Sequence, residues 1–188
     1  SLYFVVMYRH KKYLLAYSLL LTLGVNYSAN AASSTSVEIT GRVVAATCEI
    51  NSQGLTGNKI DLGAWGPTSF VDAHTKVGTK SFSIGLSNCT GGTEKGKSYY
   101  IDVNGNPMAG HPELFADLGT ETVGIELEHN QLPVKNGDAI QLSASDPVKA
   151  SGQAIVFNAS MVSPIASGNV HPSAQDVQAT IVFNADYK

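Results

Sequence analysis

The chain has 188 residues, with 12 Lys and Arg against 15 Asp and Glu and a formal net charge of −3 with histidine neutral. A negative balance argues against nucleic acid as a partner. The body of the chain also lacks any run of Lys or Arg that could dock on anionic lipid.

Residues 1–31 differ in character from the rest of the chain. Arg9, Lys11 and Lys12 precede an apolar run over residues 13–25, and Ala29-Asn30-Ala31 supplies an A-x-A cleavage pattern. The run is too short for a bilayer span, which needs about twenty apolar residues. The expectation is a signal peptide over residues 1–31, with a start at Met7 giving it ordinary proportions, and a mature chain from Ala32. Cleavage leaves nine Lys and Arg against fifteen Asp and Glu, a net charge of −6. The remaining 157 residues suit one domain with a proper core and show no linker.

Beyond the leader the dominant period is two. "VEITGRVVAATCEI" sets Val37, Ile39, Gly41, Val43, Ala45 and Thr47 on one face of a strand, with Glu38, Thr40 and Arg42 on the other. The two cysteines, Cys48 and Cys89, form an even pair in a secreted chain and predict one disulfide, worth about 4 kcal/mol on the chain-entropy model. A metal or redox pair would want a C-x-x-C spacing or a nearby histidine, and neither is present.

"KSFSIGLSNC" alternates through Phe82, Ile84 and Leu86, "SYYIDV" follows with aromatic and β-branched residues, and "TVGIELEHN" aligns Val123, Ile125 and Leu127. "QAIVFNASMV" aligns Ile155, Phe157, Ala159 and Met161. In "VQATIVFNADYK", Val177, Ala179, Ile181, Phe183, Ala185 and Tyr187 face one way and Gln178, Thr180, Asn184 and Asp186 the other. "NGNP" (104–107) and "KNGD" (135–138) mark turns. "PELFADL" (112–118) offers at most a turn of helix. The pattern predicts an all-β sandwich, immunoglobulin-like.

One stretch competes with a structural reading. "GGTEKGKS", residues 91–98, fits the phosphate-loop pattern G-x-x-x-x-G-K-[ST], a match expected by chance in about one chain per hundred of this length. A working loop needs a helix after it to hold the anion. Tyr99, Tyr100, Ile101, Asp102 and Val103 predict a strand instead, so the stretch is read as a connecting loop. The other chemistry is diffuse. His74, His111, His129 and His171 have no metal-binding spacing. No G-x-S-x-G elbow occurs, and Glu126 and Glu128 share a strand face that suits solvent. Trp65 is read as packed at a loop. No catalytic residue, metal or cofactor is expected.

"GRVVAATCEI" after the cleavage site, then "IDLGAW", then "FSIGLSNC" with the second cysteine, and an alternating strand ending with Tyr187 penultimate together resemble the pilin subunits of chaperone–usher fimbriae, the type 1 fimbrial protein family. The resemblance covers the whole mature chain. It implies an incomplete immunoglobulin-like sandwich (residues 48–188) whose final strand is missing, leaving a groove beside the C-terminal strand. A periplasmic chaperone first fills that groove, and the N-terminal extension of the next subunit then replaces it, by strand addition at a sheet edge. The implied donor segment is residues 32–47, with Val37, Ile39, Gly41, Val43, Ala45 and Thr47 inward and Gly41 passing a bulky spot. Val177, Ala179, Ile181, Phe183, Ala185 and Tyr187 form the implied chaperone and groove strand. Two residues depart from the pattern: Gln175 stands where some relatives keep a glycine, and Thr47 is polar enough to imply a shallow last pocket.

The implied function is a structural fimbrial subunit, exported through the periplasm and an outer-membrane usher to the cell-surface fimbrium and polymerised head to tail with neighbouring pilin subunits. The alternatives are a minor tip or adaptor subunit, or a single-domain adhesin with a receptor-binding role. Alternation alone also allows residues 37–47 to be the first strand of their own sandwich, since a strand looks the same whichever molecule it completes.

Overall fold

Period-two alternation becomes strand wherever one face meets a core and the other meets water or a neighbouring side chain. The computed structural model describes residues 35–42, 48–90, 94–119, 121–143 and 147–188. The leader, Val43, Ala45 and Thr47 lie outside them. One five-stranded sheet has the order β10 (Ala139–Gln141), β5 (Tyr99–Gly105), β12 (Val177–Tyr187), β1 (Thr35–Arg42), β3 (Lys59–Asp61). The second has the order β2 (Glu49–Gln53), β4 (Val77–Ser87), β11 (Ala154–Val162), β8 (Gly124–His129), β7 (His111–Phe115), β6 (Pro107–Met108), with β9 (Leu132–Val134) paired to β8. Helical structure among the described residues is a 3₁₀ turn at Pro67–Ser69 and one turn, α1 (Pro147–Ala150).

The core lies between the sheets. Phe183 of β12 meets Phe157 of β11 with ring centroids 5.0 Å apart and Phe82 of β4 at 6.0 Å, so three aromatic rings tie the two layers together. Ile84, Leu86, Ile101, Val103, Ile125, Leu127 and Ile181 are fully buried around them. Cys48, just before β2, is bonded to Cys89, just after β4, at the same end of the second sheet.

β1, within the expected donor segment, belongs to the first sheet, and β2, after Cys48, to the second. One sequence expectation changes here. "PELFADL" supplies β7 rather than a helical turn, its Phe115 pairing with Ile125 of β8. Leu114 packs with Met108, Ala116 and Val162 in a small separate cluster. Turn chemistry is as expected at "KNGD", where the Asp138 carboxylate accepts the Lys135 N–H at 2.7 Å and the Asp138 N–H donates to the Lys135 carbonyl at 3.1 Å.

Candidate functional site

β12 is the longest strand of its sheet, and its alternation is nearly complete. Val177, Ala179, Ile181, Phe183 and Ala185 are buried, whereas Gln178, Thr180, Val182 and Asn184 face away from the core. On one side it pairs antiparallel with β5, from Ile181 opposite Gly105 to Tyr187 opposite Tyr99. On its other side lies β1, and that pairing is parallel: Thr35 matches Val177, Val37 matches Ala179, Ile39 matches Ile181 and Gly41 matches Phe183.

β1 therefore occupies the position of an inserted strand. Its far edge pairs antiparallel with β3, Val37 opposite Ile60. Without β1, β3 would have no hydrogen-bonded neighbour in the sheet, and one edge of β12 would be open. Val37 and Ile39 are buried in the common core with Ile60, Ala179 and Ile181. Full burial of two such aliphatic side chains contributes about 1.5–3 kcal/mol each. Parallel pairing is slightly weaker per residue than antiparallel pairing, so β1 is well packed but not in the strongest register type available to it.

The two ends of this groove differ. At the Tyr187 end, residues 94–98, the described part of the stretch that resembled a phosphate cradle, close over the strand. The Glu94 N–H donates to the Tyr187 hydroxyl at 2.9 Å, which donates back to the Glu94 carbonyl at 3.2 Å. Ser98 and Lys188 exchange two backbone hydrogen bonds of 2.9 and 3.1 Å. Lys97 pairs with Glu94 at 2.6 Å and lies 5.8 Å from the centre of the Tyr187 ring. The Lys188 ammonium reaches Asp102 at 2.8 Å and Asp186 at 3.2 Å. Both lysines are held above their ordinary range, Lys97 chiefly by its hydrogen bond to Glu94 and Lys188 chiefly by its hydrogen bond to Asp102. The residues after the loop form β5, with no helix to present amide groups to a phosphate.

At the Val177 end, side chains substitute for a missing strand. The Glu121 carboxylate accepts the Gln178 N–H and the Leu118 N–H, each at 3.0 Å. Asp117 donates its backbone N–H to the Gln178 carbonyl at 2.8 Å, while its carboxylate accepts the Thr180 hydroxyl at 2.7 Å. Gln175 accepts the Thr122 and Val123 N–H groups at 2.8 and 3.3 Å and donates to the Thr122 hydroxyl at 2.6 Å. The residue singled out as a departure is thus a bracket between two loops. Nothing in the spacing of Asp117, Glu121 and Gln175 signals this arrangement, because the partners that join the two segments lie 52 to 63 residues away.

Glu126 and Glu128 require a correction. Both are buried, not solvent-facing, and the Lys76 ammonium bridges them, 3.2 Å from Glu126 and hydrogen-bonded to Glu128. They continue polar rungs across β8, β11 and β4, in which Glu126 stands opposite Ser160 and Ser160 hydrogen-bonds Thr79 at 2.7 Å. The hydrogen bond that the Lys76 ammonium donates to Glu128 is the main cause holding it above its ordinary range, against the opposing effect of burial. The histidines are dispersed: His111 faces Glu113, His129 contacts the Val156 carbonyl and His171 contacts the Phe70 carbonyl. Trp65 packs at a loop, its indole N–H donating to the Leu62 carbonyl at 2.7 Å.

A family model described as "Fimbrial protein" matches residues 37–188, which takes in β1 from Val37 and everything after it. The chain belongs to the fimbrial protein family. A type-1 fimbrial protein subunit of Serratia marcescens is 30% identical over 190 residues, covering 95% of this chain and 99% of that relative. The solved P pilus rod subunit PapA superposes with a TM-score of 0.56 at 18% identity, covering 77% of this chain and 94% of that one, and carries the likeness of fold to the immunoglobulin-like pilin sandwich. As a fimbrial protein the chain is a structural subunit, not an enzyme, and it forms an extracellular fimbria by polymerising with other pilin subunits.

Proposed function

We propose that this fimbrial subunit polymerises by donor-strand exchange. Residues 32–47 of one copy, with β1 (Thr35–Arg42) leaving its own sheet, fill the groove beside Val177, Ala179, Ile181, Phe183, Ala185 and Tyr187 of the next. A periplasmic chaperone holds the groove before that exchange, and an outer-membrane usher carries the subunits to the surface. The observation that supports this reading is the position of β1: the first described strand, lying between β12 and β3 in its sheet and parallel to β12, with Val37 and Ile39 in the core. Exchanging an identical element between copies retains the contacts each groove already makes, so the swap costs little beyond opening the monomer. Val43, Ala45 and Thr47 extend the same alternation toward Cys48, and the eleven residues from 37 to 47 reach about 35 Å when extended.

Deleting residues 32–47 tests the proposal. The truncated subunit should form no fibres by itself, and it should stop growth when added to the full chain, because it can receive a strand but has none to give. Normal fibres from the truncated subunit alone would overturn the reading.

A further inference from the structure

Seven large hydrophobic side chains are exposed among the described residues, and their distribution is uneven. Leu118, Leu132 and Val156 lie on other elements, after β7, on β9 and on β11, and scattered exposed apolar residues are ordinary. The other four, Trp65, Val71, Ile165 and Val170, are 50%, 53%, 49% and 58% exposed and lie on two loops that pair with each other. Asp72 bridges to Ser167 and Ser167 to Val170, while the His171 ring nitrogen lies 3.0 Å from the Phe70 carbonyl.

Residues 62–71 and 163–175 contain no Asp, Glu, Lys or Arg; the charges bordering them are Asp61, Asp72, whose carboxylate accepts the Gly168 N–H, and Asp176. A solvated loop ordinarily gathers charge, whereas the centre of a protein–protein interface is depleted of it. Trp65 is also pre-organised. Its indole N–H is fixed on the Leu62 carbonyl, and the ring rests over Gly63 and Gly78, where an added Cβ would come within 3.2 and 2.8 Å of the indole nitrogen. A rigid, half-exposed tryptophan has the form of an interface anchor, since little side-chain freedom is lost when it is covered.

The same surface runs into the groove. Trp65, Pro67, Phe70 and Pro172 line a cleft together with Thr35 and Val177, the first register pair of β1 and β12. The opposite end of the groove carries Glu94, Lys95, Lys97, Asp186 and Lys188 and is suited to water. In a polymer of this chain, the neighbour whose body borders the groove meets either an end crowded with lysines and carboxylates or this one, where exposed apolar side chains dominate and the nearby charges are the carboxylates of Asp72 and Asp176.

We propose that the face formed by Trp65, Val71, Ile165 and Val170 seats the body of a second copy of this chain in the fibre. The proposal rests on the donor-strand reading only for which neighbour arrives there. The site is a surface contact added to the filled groove, and it sets how one subunit sits on the next.

The test uses the full chain. Val71→Lys with Val170→Lys should leave the monomer's thermal midpoint unchanged and lower fibre yield by at least about tenfold, since two cations would be desolvated at the contact. Leu132→Lys, the same kind of change at one exposed residue of β9 outside this face, should leave yield unchanged. A photo-crosslinking residue at Val170 in assembled wild-type fibres should join two copies of the chain, a readout that holds even if the lysine variants fold poorly. Wild-type yield from the folded double variant, equal loss from Leu132→Lys, or crosslinks from Val170 only to a chaperone or to nothing would each overturn the proposal. Copy-to-copy crosslinks at Val170 combined with normal fibres from the chain lacking residues 32–47 would sink the donor-strand reading and leave this face standing.

Discussion

Tyr187 and Glu94 hold each other through a pair of hydrogen bonds, the hydroxyl accepting the Glu94 N–H at 2.9 Å and donating to its carbonyl at 3.2 Å. Glu94, within the stretch that has a phosphate-loop pattern, is thereby a clasp on the end of β12. Tyr187→Phe removes both bonds and keeps the ring, which remains against Tyr99 at a centroid distance of 4.8 Å. The expected loss is about 1 kcal/mol, which lowers Tm by about 2–4 °C in a domain of this size. Hydrogen exchange at the Glu94 amide should quicken at the same time. Unchanged Tm and unchanged exchange would show that the clasp carries no stability.

Ile39 offers a direct probe of the groove. Its side chain is buried beside Ile181, so Ile39→Asp places an unpaired carboxylate in the core and should cost at least about 3 kcal/mol. A synthetic peptide of residues 35–47 should then displace the defective strand and restore the melting transition. At a hundredfold excess over its Kd the peptide should add about 2.7 kcal/mol. A melting curve indifferent to the peptide would mean that β1 cannot be replaced in trans.

Much of this was legible because an antiparallel sandwich writes its faces into alternate residues. Val177 through Ala185 and Ile155 through Met161 announce their buried sides, and Cys48 and Cys89 announce their bond. Strand direction carries no such signature, so the parallel placement of β1 on its own β12 was not readable from Val37 and Ile39. Short strands such as β3, β9 and β10 span at most two alternations each and leave little pattern. The burial of Glu126 and Glu128 depends on Lys76, which is about fifty residues away in sequence, and the bracing by Glu121 depends on Gln178 across a similar gap. Local pattern reports exposure to solvent only when no distant partner intervenes.

Lys76 makes the polar ladder of the second sheet sensitive to alkali. Its ammonium is held above the ordinary value of 10.5, chiefly by the hydrogen bond to Glu128. A group with a raised folded-state pKa contributes stability that is complete below its unfolded pKa and is lost as pH rises through the folded one. Lys76→Ala should therefore cost about 1–2 kcal/mol at neutral pH, a modest figure because the lysine is largely in solvent. The gap between variant and wild type should stay constant from pH 6 to pH 9 and close only above about pH 10.5. Denaturant melts across that range check both parts, and a gap that is absent at neutral pH or closes below pH 9 contradicts the assignment.

Glu121 is tested by comparing two substitutions. Glu121→Ala leaves the Leu118 and Gln178 N–H groups without their acceptor, at a cost of about 2–4 kcal/mol for the two. Glu121→Gln retains one acceptor oxygen but turns an NH₂ toward the other N–H, so its loss should fall between wild type and alanine. Equal effects of the two variants in chemical denaturation would mean that the carboxylate acts by charge rather than as a surrogate strand edge.

Gly78 links backbone conformation to the exposed tryptophan. It has φ of +68°, and a Cβ there would lie 2.3 Å from the Leu62 carbonyl and 2.8 Å from the Trp65 indole nitrogen. Gly137 has φ of +87° with nothing within 4 Å of an added Cβ, so it isolates the conformational cost alone. Gly137→Ala should lose about 1–2 kcal/mol from left-handed strain, whereas Gly78→Ala adds a clash with backbone and should lose at least about 3 kcal/mol. Because Trp65 is the single tryptophan, its fluorescence reports the local consequence. If Gly78→Ala pushes the indole off Leu62, emission should shift to the red in native buffer, while Gly137→Ala leaves it unmoved. Equal losses of Tm in the two variants, with no change in emission, would show that the Leu62 carbonyl and Trp65 yield to the extra methyl, and that the tryptophan is not held in place by this glycine.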